Sequence, residues 1–193
     1  MAIGLVGSEM CIRDSPYKGW KGNQFEGGIK TPMIMTWKNK IKSNTQFDGF
    51  ISALDIFKTS LEVSNVNDDL MANADGKNIM KYLNDNTIQN ENLFWRKDKM
   101  ATVRSGNYKL IRLNDTSTVL YNIENNYFED LDLKLVELSI HDSLFKLLSS
   151  WEDRLINPNW IENKDWNIVT EMIYQDLMVN KDIRAMSPKA VSY

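Results

Sequence analysis

The chain has 193 residues with a formal net charge of −3, and 42% of them are hydrophobic and 25% charged. This composition is typical of a globular protein, and the mild negative charge does not favour nucleic-acid binding, which usually needs a basic face. A single cysteine excludes an intramolecular disulfide and a cysteine-built zinc site, and a single histidine argues against a Ser-His-Asp triad. No apolar run approaches the length that a membrane span needs.

The first fifteen residues differ in character from the rest of the chain. The string Leu5–Asp14 resembles a translated sequencing adapter, so we predict that residues 1–15 are a foreign, disordered arm and exclude them from the fold. A natural flexible arm is the alternative. If the arm is foreign, Cys11 carries no function, and the lack of a signal peptide says nothing about location.

The next segment joins a glycine-rich bend to an apolar run. Residues 16–28 form a predicted loop or tight hairpin, whose glycines allow positive φ and a close approach to a ligand. Lys21 lies in this bend, and its ammonium group suits a small anion such as sulfate or phosphate. Thr31–Trp37 is apolar enough for a buried strand. The pattern predicts an anion-binding bend that leads into a sheet.

Helical and irregular segments follow, up to about residue 90. Apolar spacing over Phe47–Glu62 predicts a helix, with Asp48 or Ser52 as its N-cap. Asn78–Leu83 predicts a short helical turn, and a polar linker comes after it. We therefore place a domain boundary near residue 90.

Beyond that boundary the pattern changes to short strands and then to helices. Ser105–Asn107 favours a hairpin turn, and Ser139–Leu155 predicts an amphipathic helix that covers a small antiparallel sheet. A further helix is predicted within residues 159–180. Trp160 and Trp166 are expected in the core, with a sugar-binding cleft as the alternative. The four predicted strands are Asn92–Arg96, Met100–Arg104, Tyr108–Leu113 and Thr118–Ile123.

The bend and the run after it carry a family resemblance. Lys18–Trp37 resembles the lysine motif of the sulfatase family, a Gly-Lys-Gly-x-x-Tyr/Phe-Glu-Gly-Gly element followed by a proline-initiated strand that ends in tryptophan. The likeness covers residues 16 to about 155, and the order of five motifs makes it specific. The other four motifs are Ser52–Thr59, Asp75–Ile79, Leu93–Arg96 with Thr102–Ile111, and Leu120–Ile123.

The resemblance implies a sulfuric ester hydrolase of the alkaline-phosphatase superfamily with an α/β fold. Residues 16–90 would be the C-terminal end of its catalytic domain, and residues 91–193 a C-terminal subdomain of sheet plus helices, α+β within this chain. The family uses a formylglycine nucleophile and Ca²⁺, whose motifs precede the lysine motif. Cys11 lacks the proline or alanine and the arginine that the nucleophile motif requires. We therefore expect this chain alone to be inactive.

Lys21 is the active-site residue that the resemblance carries over. In the family this lysine contacts the sulfate oxygens beside the nucleophile, and one such donor is typically worth ~3 kcal/mol to the transition state. Gly22, Gly27 and Gly28 are expected to let the loop fold against the site, and Glu26 to be structural. An exposed lysine without a catalytic role is the alternative.

Some positions depart from the family pattern. Lys38 and Lys58 stand where the family usually has proline, which affects turns rather than chemistry. Trp20 replaces a small residue beside Lys21 and either faces substrate or packs. The implied partner is a sulfated small molecule or a sulfated carbohydrate, and the implied location is periplasmic or secreted. Two alternatives remain: a phosphoryl-transfer hydrolase of the same superfamily, and a non-catalytic anion-binding module.

Overall fold

The computed structural model separates the described residues into two compact units. The residues up to Thr31 and from Phe94 onward form one of them, which we call the sheet unit. Pro32–Leu93 forms the other, which we call the helical unit. The predicted N-terminal arm, residues 1–15, lies outside the described residues. Those residues are 16–65, 73–85, 92–114 and 116–191.

This division differs from the predicted grouping of residues 16–90. The glycine-rich bend belongs to the sheet unit, because its side chains pack and hydrogen-bond against the sheet. The other predicted boundary, near residue 90, falls close to Leu93. The helices are α1 (Glu26–Ile29), α2 (Ala53–Val63), α3 (Ile79–Asp85), α4 (Leu138–Glu152) and α5 (Lys164–Met178), with a 3₁₀ turn at Pro188–Ala190.

A four-stranded sheet in the order β1-β2-β3-β4 organises the sheet unit. The pairs β2–β3 and β3–β4 are antiparallel, and Ser105 lies opposite Tyr108 across the predicted hairpin turn. The four predicted strands are confirmed, with boundaries that shift by about one residue. The strands are β1 (Leu93–Lys97), β2 (Met100–Ser105), β3 (Tyr108–Arg112) and β4 (Thr118–Asn122).

The two faces of this sheet bury different partners, as the alternation of side chains along a strand requires. One face carries Val103, Leu110 and Leu120 against Leu144 and Leu148 of α4. The predicted amphipathic helix therefore does cover the sheet. The opposite face is covered by α5 and by the glycine-rich bend. Residues of this second cluster include Phe25, Met100, Ile111, Val119, Tyr121, Tyr174 and Leu177.

The helical unit confirms the predicted cap but not the predicted start of its longer helix. Ser52 caps α2 by accepting the Leu54 N–H at 3.3 Å, and the Asp55 carboxylate accepts the Ser52 N–H at 2.7 Å. This reciprocal capping box fixes the helix start at Ala53, so the residues from Phe47 to Ser52 precede the helix.

The prediction of a buried strand at Thr31–Trp37 is wrong. These residues have no regular secondary structure, and the Ile34 side chain is 93% exposed. An apolar run becomes a strand only where a neighbour pairs with its backbone groups. Among the described residues, the sheet consists of β1 to β4, and none of these pairs with Thr31–Trp37.

The core position expected for two tryptophans is also wrong. Trp160 is 83% exposed and Trp166 is 46% exposed. Trp160 lies in the linker between α4 and α5, and Trp166 lies in the first turn of α5, whereas the buried residues of α5 begin at Val169. Within the described part of the chain, no helix is long and apolar enough to cross a membrane.

Candidate functional site

The glycine-rich bend is a closed loop that displays Lys21 at the surface. We call residues Lys18–Gly28 the lysine loop. The N–H of Gly27 donates to the carbonyl oxygen of Lys18 at 2.8 Å and closes it, and the N–H of Asn23 donates to the Trp20 carbonyl at 3.2 Å. The Lys21 side chain is exposed. An ammonium group on a loop tip of fixed geometry can meet an anion that approaches from solvent.

Glycine is required at the places where the loop backbone crosses itself. A Cβ atom on Gly28 would lie 2.1 Å from the Asn23 carbonyl oxygen, and one on Gly27 would lie 2.5 Å from the Gly19 carbonyl oxygen. Gly22, next to Lys21, has φ +93° with open space around it. The family pattern of glycines thus serves two purposes here, a close backbone crossing and a left-handed turn.

Phe25 anchors the loop in the core of the sheet unit. Its side chain is fully buried, with ring centroids 5.8 Å from Tyr174 and 6.4 Å from Tyr121. The neighbouring Gln24 donates its N–H to the Tyr174 hydroxyl at 2.9 Å and accepts from the Thr102 hydroxyl at 2.8 Å. Trp20 is half-buried and packs against the same cluster, so it packs rather than standing free beside Lys21.

Glu26 is structural, as predicted, and it belongs to a buried ionic cluster. Its carboxylate accepts from the Lys109 ammonium at 3.0 Å and lies 3.5 Å from the Arg104 guanidinium. Lys109 also forms an ion pair with Glu129 at 2.8 Å. All three residues Glu26, Lys109 and Glu129 are 1% exposed or less. Burial raises the pKa of Glu129, and the charge of Lys109 opposes that rise.

Lys18 has a different role from Lys21, although both are lysines of the same loop. The Lys18 ammonium donates to the backbone carbonyl oxygens of Leu177, at 3.1 Å, and of Glu129. Burial lowers the pKa of Lys18, and the charges of Glu129 and Asp130 oppose that change. Lys18 therefore ties the loop to the end of α5, while Lys21 remains available to a ligand.

The residues that support the loop were missed by the sequence patterns. Lys109 lies two residues before Ile111 in an apolar strand, so the two side chains are on the same face. This spacing is the one signal that could have marked Lys109 as inward-facing. No comparable signal marks Glu129, whose partner Glu26 is 103 residues away along the chain.

The described residues do not fit the calcium ion that the resemblance implies. No group of three or more histidine, cysteine, aspartate or glutamate residues among them could hold a metal ion. Cys11 lies outside the described residues. The site that the structure describes is therefore the lysine loop alone.

Comparison with known proteins identifies curated relatives of part of this chain, although no protein-family model matches it. The uncharacterized sulfatase YdeN of Escherichia coli (strain K12) is 32% identical over 80 residues, which are 40% of this chain and 14% of that protein. Human steryl-sulfatase is 31% identical over 78 residues, 40% of this chain and 13% of that protein. Part of the chain is therefore similar to sulfatases.

Solved structures support the fold of this chain. The crystal structure of Ps i-CgsB has a TM-score of 0.69 and 23% identity, and its complex with k-i-k-neocarrahexaose has a TM-score of 0.68 and 23% identity. Each likeness covers 86% of the present chain and 39% of the solved one. The chain thus has the α+β fold expected for these residues, and it spans well under two thirds of the length of the proteins that it matches.

Proposed function

We propose that this chain is the C-terminal part of a sulfuric ester hydrolase and that Lys21 binds a sulfate oxygen of the substrate. The observation that carries the proposal is the exposure of Lys21 on a loop that is closed by the hydrogen bond from Gly27 to Lys18 and anchored by the buried Phe25. The sulfatase relatives support the reaction class.

The chemistry explains why a fixed lysine would matter. Hydrolysis of a sulfate ester forms a new bond to sulfur and breaks the bond between sulfur and the ester oxygen. Negative charge then develops on the leaving oxygen and on the equatorial oxygens. An ammonium group about 3 Å away stabilises this charge, and because the loop is already folded, little reorganisation is needed.

The nucleophile and the metal complete the proposal. We propose that a formylglycine nucleophile and Ca²⁺ come from sequence outside the described residues, and that the chain by itself does not turn over substrate. Formylglycine supplies the attacking oxygen in such enzymes.

The proposed substrates are the sulfate esters of a small molecule or of a carbohydrate. One curated relative is a steryl-sulfatase, and one structural neighbour was crystallised with neocarrahexaose. An assay with both kinds of ester separates the two substrate classes.

The first experiment measures sulfate binding to the chain itself. Titration with sodium sulfate, followed by ¹⁵N NMR, is expected to shift the amides of Lys21 and Gly22 most. Lys21→Ala should remove the shift. Lys146→Ala is the matched control, because Lys146 is an exposed lysine on α4 of the same unit. A shift that persists in Lys21→Ala would contradict the proposal, and tighter binding of phosphate than of sulfate would favour the phosphoryl-transfer alternative.

The second experiment measures catalysis. In an enzyme that joins this sequence to a sulfatase nucleophile segment, Lys21→Ala should lower kcat for an aryl sulfate by about 100-fold without unfolding the protein. Lys146→Ala should leave kcat unchanged. Wild-type turnover by Lys21→Ala would refute the role of Lys21, and arylsulfatase activity in the purified chain alone would refute its proposed inactivity.

A further inference from the structure

We propose that Lys109 is a positioning residue for Lys21, and that it acts through Glu26 and Glu129. This inference rests on the proposed function, since it concerns the same lysine loop. Lys109 is the residue of β3 that joins the two carboxylates, at 3.0 Å from Glu26 and 2.8 Å from Glu129. Its side chain is completely buried.

Both ends of the lysine loop converge on Glu129. At one end, Lys18 donates its ammonium hydrogens to the Glu129 carbonyl oxygen. At the other end, the backbone N–H of Glu26 donates to the Glu129 carboxylate at 2.7 Å. Glu129 itself has φ +56°, a left-handed conformation that is uncommon outside glycine. The hydrogen bonds from Lys18 and Glu26 therefore help to hold Glu129 in a backbone conformation that it would rarely adopt alone.

Lys21 lies between these two attachment points. The hydrogen bond from the Gly27 N–H to the Lys18 carbonyl oxygen closes the loop around it at 2.8 Å. When Lys18 and Glu26 are held on one residue, the backbone that carries Lys21 has little freedom to turn. The Cα atom of Lys21 is then held in place before any anion arrives, which reduces the reorganisation that electrostatic stabilisation would otherwise need.

Charge suits this task better than apolar packing does. Burying ions is costly, and well-packed apolar residues of similar volume would often give equal or greater stability. Phe25 already supplies apolar anchoring next to Glu26. An apolar side chain such as Phe25 holds the loop against the sheet but does not fix the orientation of the loop. Hydrogen bonds and ion pairs are directional, so they can fix that orientation. The cluster around Lys109 therefore adds orientation to a loop that is already held in place.

The test compares two substitutions in the same strand. Lys109→Met removes the charge from the loop side of β3, and Leu110→Ala damages the face that packs on α4. Hydrogen exchange of the amides from Gly22 to Gly28 is measured relative to the amides of β4. We expect this ratio to rise at least 10-fold in Lys109→Met and less than 2-fold in Leu110→Ala. We also expect at least 5-fold weaker sulfate binding at Lys21 in Lys109→Met alone.

Each outcome decides between positioning and general stability. Equal loop exchange in the two variants would overturn the positioning role, even if sulfate still binds at Lys21. Absence of sulfate binding in the wild-type chain would defeat the proposed function, while a loop-specific rise in exchange would still support the positioning role. If Lys109→Met does not fold, Glu129→Gln is tested instead, because it keeps the side-chain volume. In Glu129→Gln we expect hydrogen exchange of the loop amides, relative to those of β4, to rise at least 5-fold. No rise in this ratio would overturn the inference.

Discussion

The two compact units differ in how many hydrophobic residues they bury. In the sheet unit, apolar clusters lie on both faces of the sheet, and the charged residues Glu26, Lys109 and Glu129 are also fully buried. In the described part of the helical unit, Ile79 is the one buried hydrophobic residue, while Ile34 is 93% and Phe57 is 55% exposed. Hydrophobic character therefore does not by itself decide burial; a packing partner does.

Polar contacts hold the described part of the helical unit together instead. The Asp55 carboxylate accepts the N–H of Lys77 at 2.8 Å, and the Thr59 hydroxyl accepts the N–H of Ile79 at 2.8 Å. Asp55 and Thr59 are both buried. The comparison teaches that the sheet unit depends on packing and buried charge, whereas the helical unit depends on side-chain hydrogen bonds to the backbone.

The largest expected difference between the units is the cost of removing a phenylalanine. Phe25→Ala should lower the free energy of unfolding by about 3–5 kcal/mol, because it empties a fully buried site. Phe57→Ala, at an exposed position, should change it by about 0.5 kcal/mol or less. Hydrogen exchange of the amides of each unit, measured during urea unfolding, gives the change in the free energy of unfolding for each variant. An equal loss of unfolding free energy in the two variants would show that the two units do not differ in apolar packing.

A second prediction sharpens the account of the lysine loop. Gly28→Ala should destabilise the sheet unit by about 3 kcal/mol or more, because its Cβ would overlap the Asn23 carbonyl oxygen at 2.1 Å. Gly22→Ala has open space and should cost only about 1–2 kcal/mol of backbone strain. Denaturant midpoints of the two variants give the comparison, and the reverse order would show that the crossing at Gly28 is not tight.

A third prediction concerns the cap of the helical unit. Ser52→Ala should cost about 1 kcal/mol and raise hydrogen exchange in the first turn of α2, because the Leu54 N–H loses its acceptor. The control is Ser60→Ala, since the Ser60 hydroxyl donates to the Ile56 carbonyl oxygen within the helix and caps nothing. A similar cost for both serines would mean that the cap contributes little.

The smallest expected effect is a pH dependence from Lys18. Its pKa is lowered in the folded chain, chiefly by burial, from an ordinary value of 10.5. Between the lowered pKa and 10.5, the unfolded chain binds more protons than the folded one, so the free energy of unfolding should rise with pH in that window. In Lys18→Met this rise should disappear. An unchanged pH slope in the variant would assign the effect to another group.

Local patterns were sufficient to predict much of the sheet unit. The strands β2 and β3 follow from apolar runs around the Ser105–Asn107 turn, and α4 follows from its apolar spacing. Ser52 was predictable as a cap because capping depends on residues within one helical turn. The strand expected at Thr31–Trp37 failed because a strand depends on a neighbour that no local pattern contains.

The sequence by itself determined the four strands, the capped helix and, by resemblance to the sulfatases, the loop that carries Lys21. Only the tertiary structure decided that this loop folds onto the C-terminal sheet and that Lys18 is half-buried while Lys21 is exposed. It also decided that Lys109 joins Glu26 to Glu129. The physical reason is distance along the chain: the first features arise between near neighbours, whereas the ionic cluster joins residues 83 and 103 positions apart.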